Sequence, residues 1–293
     1  NKLYGRGTAD MKGFLALILS RVPKMISANL SKPIHLAFSY DEEVGCVGVH
    51  RLLDFINSNS IKPVFCIVGE PTSMEVVIGH KGKCAYQVVV KGLACHSGQA
   101  PFGVNAVDYA AKLISYIAEI AKEKSIKGPF DYDYEVPYST LHTGVISGGT
   151  ILNIVPDSCQ FEFEIRHLIE DNPKELINKI KLYAKENLLP NMHKVSSKTD
   201  IHFKEKVTYP GLLIDANSEP VKYLKKLLNN KQHKKVIFGT EGGLFQEKLN
   251  LPTVVCGPGS IDQAHKADEY ISINQLEKGG KFLDDLIAST SIS

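Results

Sequence analysis

Apolar and polar positions in the first part of the chain follow two patterns that alternate along the sequence. The segment GFLALILSRVPKMI (13–26) has apolar residues at helical spacing, and PIHLAFSY (33–40) is an apolar run that predicts a buried strand. An amphipathic helix in GVHRLLDFINS (48–58) and a second strand in VFCIVGEP (64–71) follow. Strands that alternate with helices predict a mainly parallel sheet covered by helices on both faces.

The pattern changes near residue 80, where the predicted order becomes β-α-β-β-α-β, that of a ferredoxin-like α+β unit. Asn105 is predicted to cap the first helix of this unit. The six segments are CAYQVVVKG (84–92), NAVDYAAKLISYIAEIAKE (105–123), STLHTGVISGG (139–149), DSCQFEFEIRHL (157–168), NPKELINKIKLYAKENL (172–188) and DIHFKEKVTY (200–209).

Alternation of helix and strand resumes after about residue 207, for example in EPVKYLKKLLN (219–229) and PTVVCGPG (252–259). The simplest organisation is an α/β domain made from both ends of the chain, residues 1–79 and 207–293. A smaller α+β domain, residues 80–206, is inserted between them.

Composition narrows the classes of partner. Hydrophobic residues make up 43% of the 293 residues and charged residues 23%, as in an ordinary soluble globular protein. The formal net charge of +2 gives no reason to expect nucleic acid or an acidic membrane. The six cysteines form no Cys-x-x-Cys pair, which favours free thiols in a reducing compartment. We therefore expect a cytoplasmic protein with a small-molecule substrate and no nucleic-acid or membrane partner.

Acidic residues follow the predicted strands at the positions where an open α/β sheet binds its ligands. The run DEE (41–43) follows PIHLAFSY, and Glu70 follows VFCIV. Asp10 precedes the first helix, and His265 lies in the loop after PTVVC. Several carboxylates and one imidazole at one sheet edge need a cation, and such donors suit zinc, cobalt or manganese. A metal would offset the repulsion in DEE and leave one glutamate free as a base.

Each of these residues also has a plainer interpretation. Asp10 would be favourable as a helix cap, because a carboxylate interacts well with a helix N-terminus. The DEE run would be a solvated turn, Glu70 the exit of a strand, and His265 a polar loop residue. Only their shared placement after strands favours a metal site.

Seven motifs, in the same order along nearly the whole chain, resemble the metallo-aminohydrolases of the M20 peptidase family. FDYDYEVPYSTLHTG (130–144) and FGTEGGLFQ (238–246) are most similar to its acetylornithine deacetylase branch. The seven motifs are LYGRGTADMKG, SYDEEVGCVG, VGEPT, HKGK, ACHSGQAPFGVNAV, GGTILNIVPD and GPGSIDQAHKADEY. The resemblance implies a zinc-aminopeptidase-like α/β catalytic domain with an inserted ferredoxin-like dimerisation domain.

The resemblance also implies roles for the acidic residues. Asp10 would bridge two zinc ions, for which cobalt can substitute. Glu43 and His265 would complete one site, and Glu70 would bind the other ion. Glu42 would be the general base that takes a proton from water and delivers it to the leaving nitrogen.

In the inserted domain, His96 would reach the active site of a partner subunit and donate a hydrogen bond to the developing oxyanion. Arg166 resembles the arginine that forks onto the substrate carboxylate; alternatively, it pairs with Glu164. Asn153 would contact the substrate or merely cap a turn. These roles imply a homodimer formed through the inserted domain.

Glu241, with the adjacent Gly242, is the candidate for holding a substrate ammonium group. N2-acetyl-L-ornithine offers such a cation, whereas succinyl substrates do not. The activity implied is hydrolysis of N2-acetyl-L-ornithine to L-ornithine and acetate, a step of arginine biosynthesis. Succinyl-diaminopimelate desuccinylase and a general N-acyl amino acid hydrolase remain alternatives.

One motif of the family has no counterpart here. The His-x-Asp strand end that supplies a metal ligand lies upstream of GRGTAD in the family, and no histidine precedes Asp10. We expect either a piece of a longer enzyme or a natural short relative that binds one metal ion instead of two. A non-catalytic dimer that binds ligand without turnover is a further alternative.

Overall fold

The computed structural model describes residues 1–292. They divide into two compact units, one formed by Asn1–His80 with the segment that begins at Gly211, and the other by Lys81–Pro210. The catalytic role of residues 1–79 and 207–293 stays a prediction, and so does the dimerisation role of residues 80–206.

The first unit is an α/β assembly, which confirms the predicted fold class. Its helices are α1 (Gly13–Ser27), α2 (Val49–Ser58), α6 (Glu219–Leu227), α7 (Gly242–Leu249) and α8 (Ile273–Thr290). Its strands are β1 (Lys2–Tyr4), β2 (Cys66–Val68), β3 (Val77–His80), β8 (Leu212–Leu213), β9 (Lys234–Val236), β10 (Thr253–Val255) and β11 (Tyr270–Ser272).

The five-stranded sheet of this unit is mixed, so the prediction of a mainly parallel sheet was wrong in that detail. Its order is β2-β10-β3-β8, and β9 also pairs with β3. β2 runs parallel to β10 and β9 parallel to β3, whereas β3 is antiparallel to both β10 and β8. Fully buried side chains of β3, β10, α6 and α8 form one core, each contributing about 1.5–3 kcal/mol through burial. They include Ile78, Val221, Leu224, Val254, Phe282 and Leu283.

The predicted strand in PIHLAFSY was wrong. Residues 33–40 have no strand structure, and no strand within residues 1–292 pairs with them. The predicted burial was wrong too, because Leu36, Phe38 and Tyr40 are exposed. An apolar run meets the sequence requirement for a strand, but a strand also needs a neighbour to satisfy its backbone N–H and C=O groups.

The second unit has the predicted β-α-β-β-α-β order, which confirms the ferredoxin-like topology. Its sheet order is β5-β6-β4-β7, and all neighbours are antiparallel. Asn105 caps α3 by accepting hydrogen bonds from the N–H groups of Val107 and Asp108, as predicted. The elements are β4 (Gly82–Lys91), α3 (Ala106–Lys127), β5 (Thr140–Gly148), β6 (Ser158–His167), α4 (Pro173–Tyr183), α5 (Leu189–His193) and β7 (Asp200–Tyr209).

Alternating burial along β4 and β6 explains why this unit follows its sequence pattern closely. One face of the sheet carries side chains such as Val88 and Phe161, which pack against α3 and α4 in a second core.

All six cysteines of the chain are free. None of the helices within residues 1–292 combines the length and the hydropathy needed to cross a membrane.

Candidate metal centre

A short antiparallel pairing brings two motif-bearing loops side by side. β1 pairs with β11, and Tyr4 lies opposite Tyr270. Because Asp10 lies just after β1 and His265 just before β11, this register aligns the loops that carry them. The Gly5 N–H donates to the Glu269 C=O at 2.9 Å, which extends the pairing by one residue.

Three of the predicted ligands meet at the end of these loops. His265 Nε2 lies 3.2 Å from Asp10 Oδ2 and 3.0 Å from Glu43 Oε2. One ligand atom from each residue lies within 4.8 Å of the other two. Arg6 Nη2 also contacts Glu43 Oε1, at 2.9 Å. Asp10, Glu43 and His265 therefore form a compact set of oxygen and nitrogen donors.

The acidic run forms a tight turn rather than a strand end. The Glu42 C=O accepts from the N–H groups of Gly45 and Cys46, and the Asp41 C=O accepts from the Val47 N–H. Asp41 and Cys46 have positive φ angles, 54° and 58°, which the turn requires. Cys46 Sγ donates to Glu42 Oε1 at 3.6 Å, so the thiol contacts the predicted base directly.

The environment of Glu42 suits a group that both accepts and donates a proton. The pKa of this half-buried carboxyl is raised to about 7. Burial is the largest cause, the hydrogen bond from Cys46 acts in the opposite direction, and the carboxylates of Glu241, Glu43 and Asp10 add to the rise. A general base works best when its pKa lies near the working pH, and Glu42 meets that condition.

Glu70 lies on the buried side of Asp10, where the two carboxyl groups are joined by a hydrogen bond. Burial, together with the charge of Asp10, raises the pKa of Glu70 well above the ordinary glutamate range. Burial and the neighbouring Glu43 also raise the pKa of Asp10. Their hydrogen bond lowers the pKa of Asp10 and raises that of Glu70, so Glu70 is the carboxyl of this pair that holds a proton more readily.

These observations fit a divalent cation. Carboxylates crowded in a partly buried space hold protons that a cation would displace, and the donor atoms are the oxygen and nitrogen types that zinc or cobalt accepts. The alternative of Asp10 as a helix cap was wrong, because α1 begins after Lys12 with no side-chain cap bond. The Asp10 carboxylate contacts His265 and Glu70 instead.

Glu269 also belongs to this site and was not predicted. Its side chain is 1% exposed and accepts from the N–H groups of Gly7 at 2.8 Å, Ala9 at 2.9 Å and Asp10 at 3.1 Å. Burial acts to raise the pKa of Glu269, but these donors and Arg6 outweigh it, so the pKa is lowered. The only sequence signal was its position four residues after His265.

Glu241 lies just before α7 and is buried. Its Oε2 accepts from the Ser39 hydroxyl at 2.6 Å, whereas Oε1 has no hydrogen-bond partner among residues 1–292. Burial raises the pKa of Glu241, against the lowering effect of Ser39. The adjacent Gly242 N–H donates to Thr240 Oγ1. The proposed contact of Glu241 with a substrate ammonium group stays a prediction.

In the second unit, His96 and Asn153 lie on adjoining segments. The Ser97 N–H donates to the Asn153 C=O at 2.9 Å, and His96 forms a bridge with Ile154. His96 is exposed, and its Nδ1 accepts from the Gly98 N–H at 3.1 Å. The neutral ring therefore carries its proton on Nε2, which is free to donate.

Arg166 pairs with Glu164, which was the alternative to a contact with the substrate carboxylate. Its Nε donates to Glu164 Oε1 and its Nη1 to Tyr209 Oη, both at 3.0 Å. Arg166 lies opposite Lys83, whereas the His96 segment follows the other end of β4, at Lys91. Eight residues of strand separate these two ends, roughly 26 Å at about 3.3 Å per residue. The two predicted substrate residues therefore lie at opposite ends of one sheet.

Comparison with known proteins identifies the class to which this fold and site belong. Residues 1–289 match the family described as Peptidase family M20/M25/M40. The chain therefore belongs to this family of amide hydrolases, which confirms the resemblance drawn from the motifs.

The curated relatives include acetylornithine deacetylases. Those of Pasteurella multocida and Aliivibrio salmonicida are 30% and 32% identical over 98% of this chain, and the matches cover 72% and 73% of their lengths. The solved structure of aminopeptidase PepT from Bacillus cereus has a TM-score of 0.74 at 22% identity, covering 96% of this chain and 71% of that one. At that identity the structural likeness shows the fold alone.

Proposed function

We propose that this chain is a zinc-dependent deacetylase that hydrolyses N2-acetyl-L-ornithine to L-ornithine and acetate in cytoplasmic arginine biosynthesis. The observation that carries the proposal is the half-buried Glu42, with a pKa of about 7, next to the Asp10–Glu43–His265 donor set. The names of the relatives favour acetylornithine as the substrate.

Asp10, Glu43 and His265 would hold one zinc ion, and Glu70 together with Asp10 would hold a second. Bound there, zinc would polarise the amide carbonyl and make water more acidic. Cobalt has the same preference for oxygen and nitrogen donors and would substitute.

The proton transfers fall to Glu42. It takes a proton from the attacking water and returns it to the nitrogen of the leaving amine, which must be protonated before the C–N bond breaks. Burial and the neighbouring carboxylates raise its pKa to about 7, so both transfers are accessible. His96 of a partner subunit would donate, through its Nε2–H, to the carbonyl oxygen as negative charge develops there.

Substrate selection would rest on charge. Glu241 keeps one carboxylate oxygen without a partner among residues 1–292, and a buried oxygen of this kind favours a cationic group such as the ornithine ammonium. We infer that Gly242 lines the same position. Arg166 would contact the substrate carboxylate with the guanidinium nitrogens that it does not use toward Glu164 and Tyr209. Asn153, on the segment next to His96, would contact the substrate from the same subunit as His96.

A homodimer would form through the second unit. Its two edge strands differ, since β7 exposes Lys204 and Lys206 whereas β5 exposes Val145 and Ile146. Charged edges resist pairing and apolar edges favour it, so we infer that β5 pairs with its copy. A dimer would also let His96 and Arg166, which lie toward opposite ends of one sheet, act on one substrate from different subunits.

The decisive test is acetate release by the zinc-loaded protein from N2-acetyl-L-ornithine, compared with succinate release from N-succinyl-L,L-diaminopimelate. We expect a higher kcat/KM for the acetyl substrate. A preference for the succinyl substrate would replace the deacetylase proposal by the desuccinylase alternative. Binding of acetylornithine without any product would indicate a non-catalytic relative.

The dimer is tested separately by sedimentation. Replacing Val145 and Ile146 together by lysine should give monomers, whereas Lys206→Ala on the opposite edge should leave the mass unchanged. If the wild-type protein sediments as a monomer at micromolar concentration, the β5 interface is wrong.

A further inference from the structure

We propose that Glu269 is the positioning residue of the metal centre: its carboxylate fixes the loop that carries Asp10 and ties that loop to the segments that carry His265 and Glu43. The proposal deepens the zinc-site proposal above and rests on it.

The first support is the number of donors that converge on one buried carboxylate. Oε1 accepts from the Ala9 and Asp10 N–H groups, and Oε2 accepts from the Gly7 N–H. Arg6 Nη1 lies 3.5 Å from Oε2. Buried N–H groups are costly to leave without an acceptor, so these bonds decide whether this backbone conformation persists.

The second support is the irregular backbone that these bonds hold. Between β1 and α1 the chain makes a turn over Thr8–Lys12, in which Asp10 (φ −122°, ψ 89°) and Met11 (φ −132°, ψ 37°) are not helical. Gly7 has φ 80°, a conformation that glycine adopts readily. A loop of this kind needs external acceptors, and Glu269 supplies one for Asp10 itself.

The third support is the position of Glu269 among the ligand segments. It shares a loop with His265 and directly precedes Tyr270, which pairs with Tyr4. Arg6 contacts both Glu269 and Glu43. Glu269 thus binds the Asp10 loop directly, shares the loop of His265 and connects to Glu43 through Arg6, as residues behind metal ligands commonly do.

The test is zinc affinity, measured by competition with a chromophoric chelator at a temperature where each variant is folded by circular dichroism. In Glu269→Gln, an amide NH2 replaces one acceptor oxygen and faces an N–H donor. We expect the zinc dissociation constant to rise about 10- to 100-fold, in line with other residues that orient metal ligands.

Two controls separate positioning from other effects. Glu277→Gln removes an exposed carboxylate of α8 and should leave zinc affinity unchanged. Val221→Ala creates a defect in the core of the same unit, so it lowers stability without touching the site. Val221→Ala should keep wild-type zinc affinity. If Glu269 contributed only to stability, Glu269→Gln would behave like Val221→Ala and would also keep wild-type zinc affinity.

A second measurement uses only the wild-type protein. Without metal, the amides of Gly7, Ala9 and Asp10 should be protected from hydrogen exchange at least 10-fold relative to exposed loop amides, because their acceptor is Glu269 and not the ion. Unprotected amides, or wild-type zinc affinity in folded Glu269→Gln, would overturn the proposal. A wild-type protein that binds no zinc would instead overturn the zinc site itself.

Discussion

Two buried glutamates flank Asp10, and they have opposite electrostatic states. Glu269 is 1% exposed and has a lowered pKa, whereas Glu70 is 8% exposed and has a pKa raised well above its ordinary range. Burial opposes ionisation in both cases. The difference comes from their neighbours, because Glu269 faces three backbone N–H donors and Arg6, while Glu70 faces Asp10, Glu42 and Glu241.

The comparison shows that the burial of an acid does not by itself reveal its role. A carboxylate that already has its donors is part of the scaffold, whereas one that faces other carboxylates still lacks a cation. Glu42 and Glu241 also lack a cation, but each accepts one hydrogen bond. The donor is Cys46 for Glu42 and Ser39 for Glu241.

The largest expected effect comes from Glu42. Like Glu70 it has a raised pKa and lies near other carboxylates, but its proposed role is that of the general base. Glu42→Gln should lower kcat for acetylornithine about 10²- to 10⁴-fold, because no other group is assigned to the proton transfers. Zinc content should be unchanged. Steady-state kinetics with zinc analysis checks both, and Glu247→Gln, an exposed site on α7, is the matched control. Wild-type kcat in Glu42→Gln would refute the assignment.

Glu241 should affect substrate binding rather than chemistry. Loss of a charged hydrogen bond in a buried position costs about 1.5–3 kcal/mol, so Glu241→Gln should raise the KM for acetylornithine about 10- to 100-fold with little change in kcat. The measurement is a set of Michaelis curves for both enzymes. If KM is unchanged, the ammonium contact is discarded and Glu241 is left as the acceptor for Ser39.

The two flanking glutamates should respond in opposite directions to the same substitution. In metal-free protein at pH 7, Glu269→Gln should lower the free energy of unfolding by about 1–3 kcal/mol, because buried N–H donors lose an acceptor. Glu70→Gln should leave it unchanged or raise it, since glutamine resembles the protonated form that burial already favours. Urea denaturation measures both, and equal losses would remove the distinction drawn here.

The smallest effect is expected at an exposed acid. Asp284 on α8 has a lowered pKa because Lys24 donates to it at 2.7 Å, with Arg21 also nearby. A lowered folded pKa gives stability that is present above the unfolded pKa and lost as pH falls through the folded one. Asp284→Asn should therefore cost about 0.5–1 kcal/mol at pH 7 and nothing in strong acid, as thermal unfolding at both pH values would show.

The sequence predicted more of the second unit than of the first. In β4 and β6, alternation of polar and apolar residues determines which face is buried, and each strand lies between two pairing partners in the order β5-β6-β4-β7. In the first unit, the apolar run in PIHLAFSY predicted a strand that does not form. A strand needs a pairing partner, which the pattern of a single segment does not reveal.

For the site, the sequence by itself determined the donor types, and the resemblance of its motifs assigned roles to Asp10, Glu42, Glu43 and His265. The expected place of the DEE run after a strand was wrong, because residues 33–40 form no strand. Side-chain chemistry is carried by the residue, so it can be recognised without a fold. Only the tertiary structure decided which carboxylates have raised pKa values and which have lowered ones. It also decided that Glu269 holds the Asp10 loop, because hydrogen bonds across some 260 positions depend on the β1–β11 register and not on any local pattern.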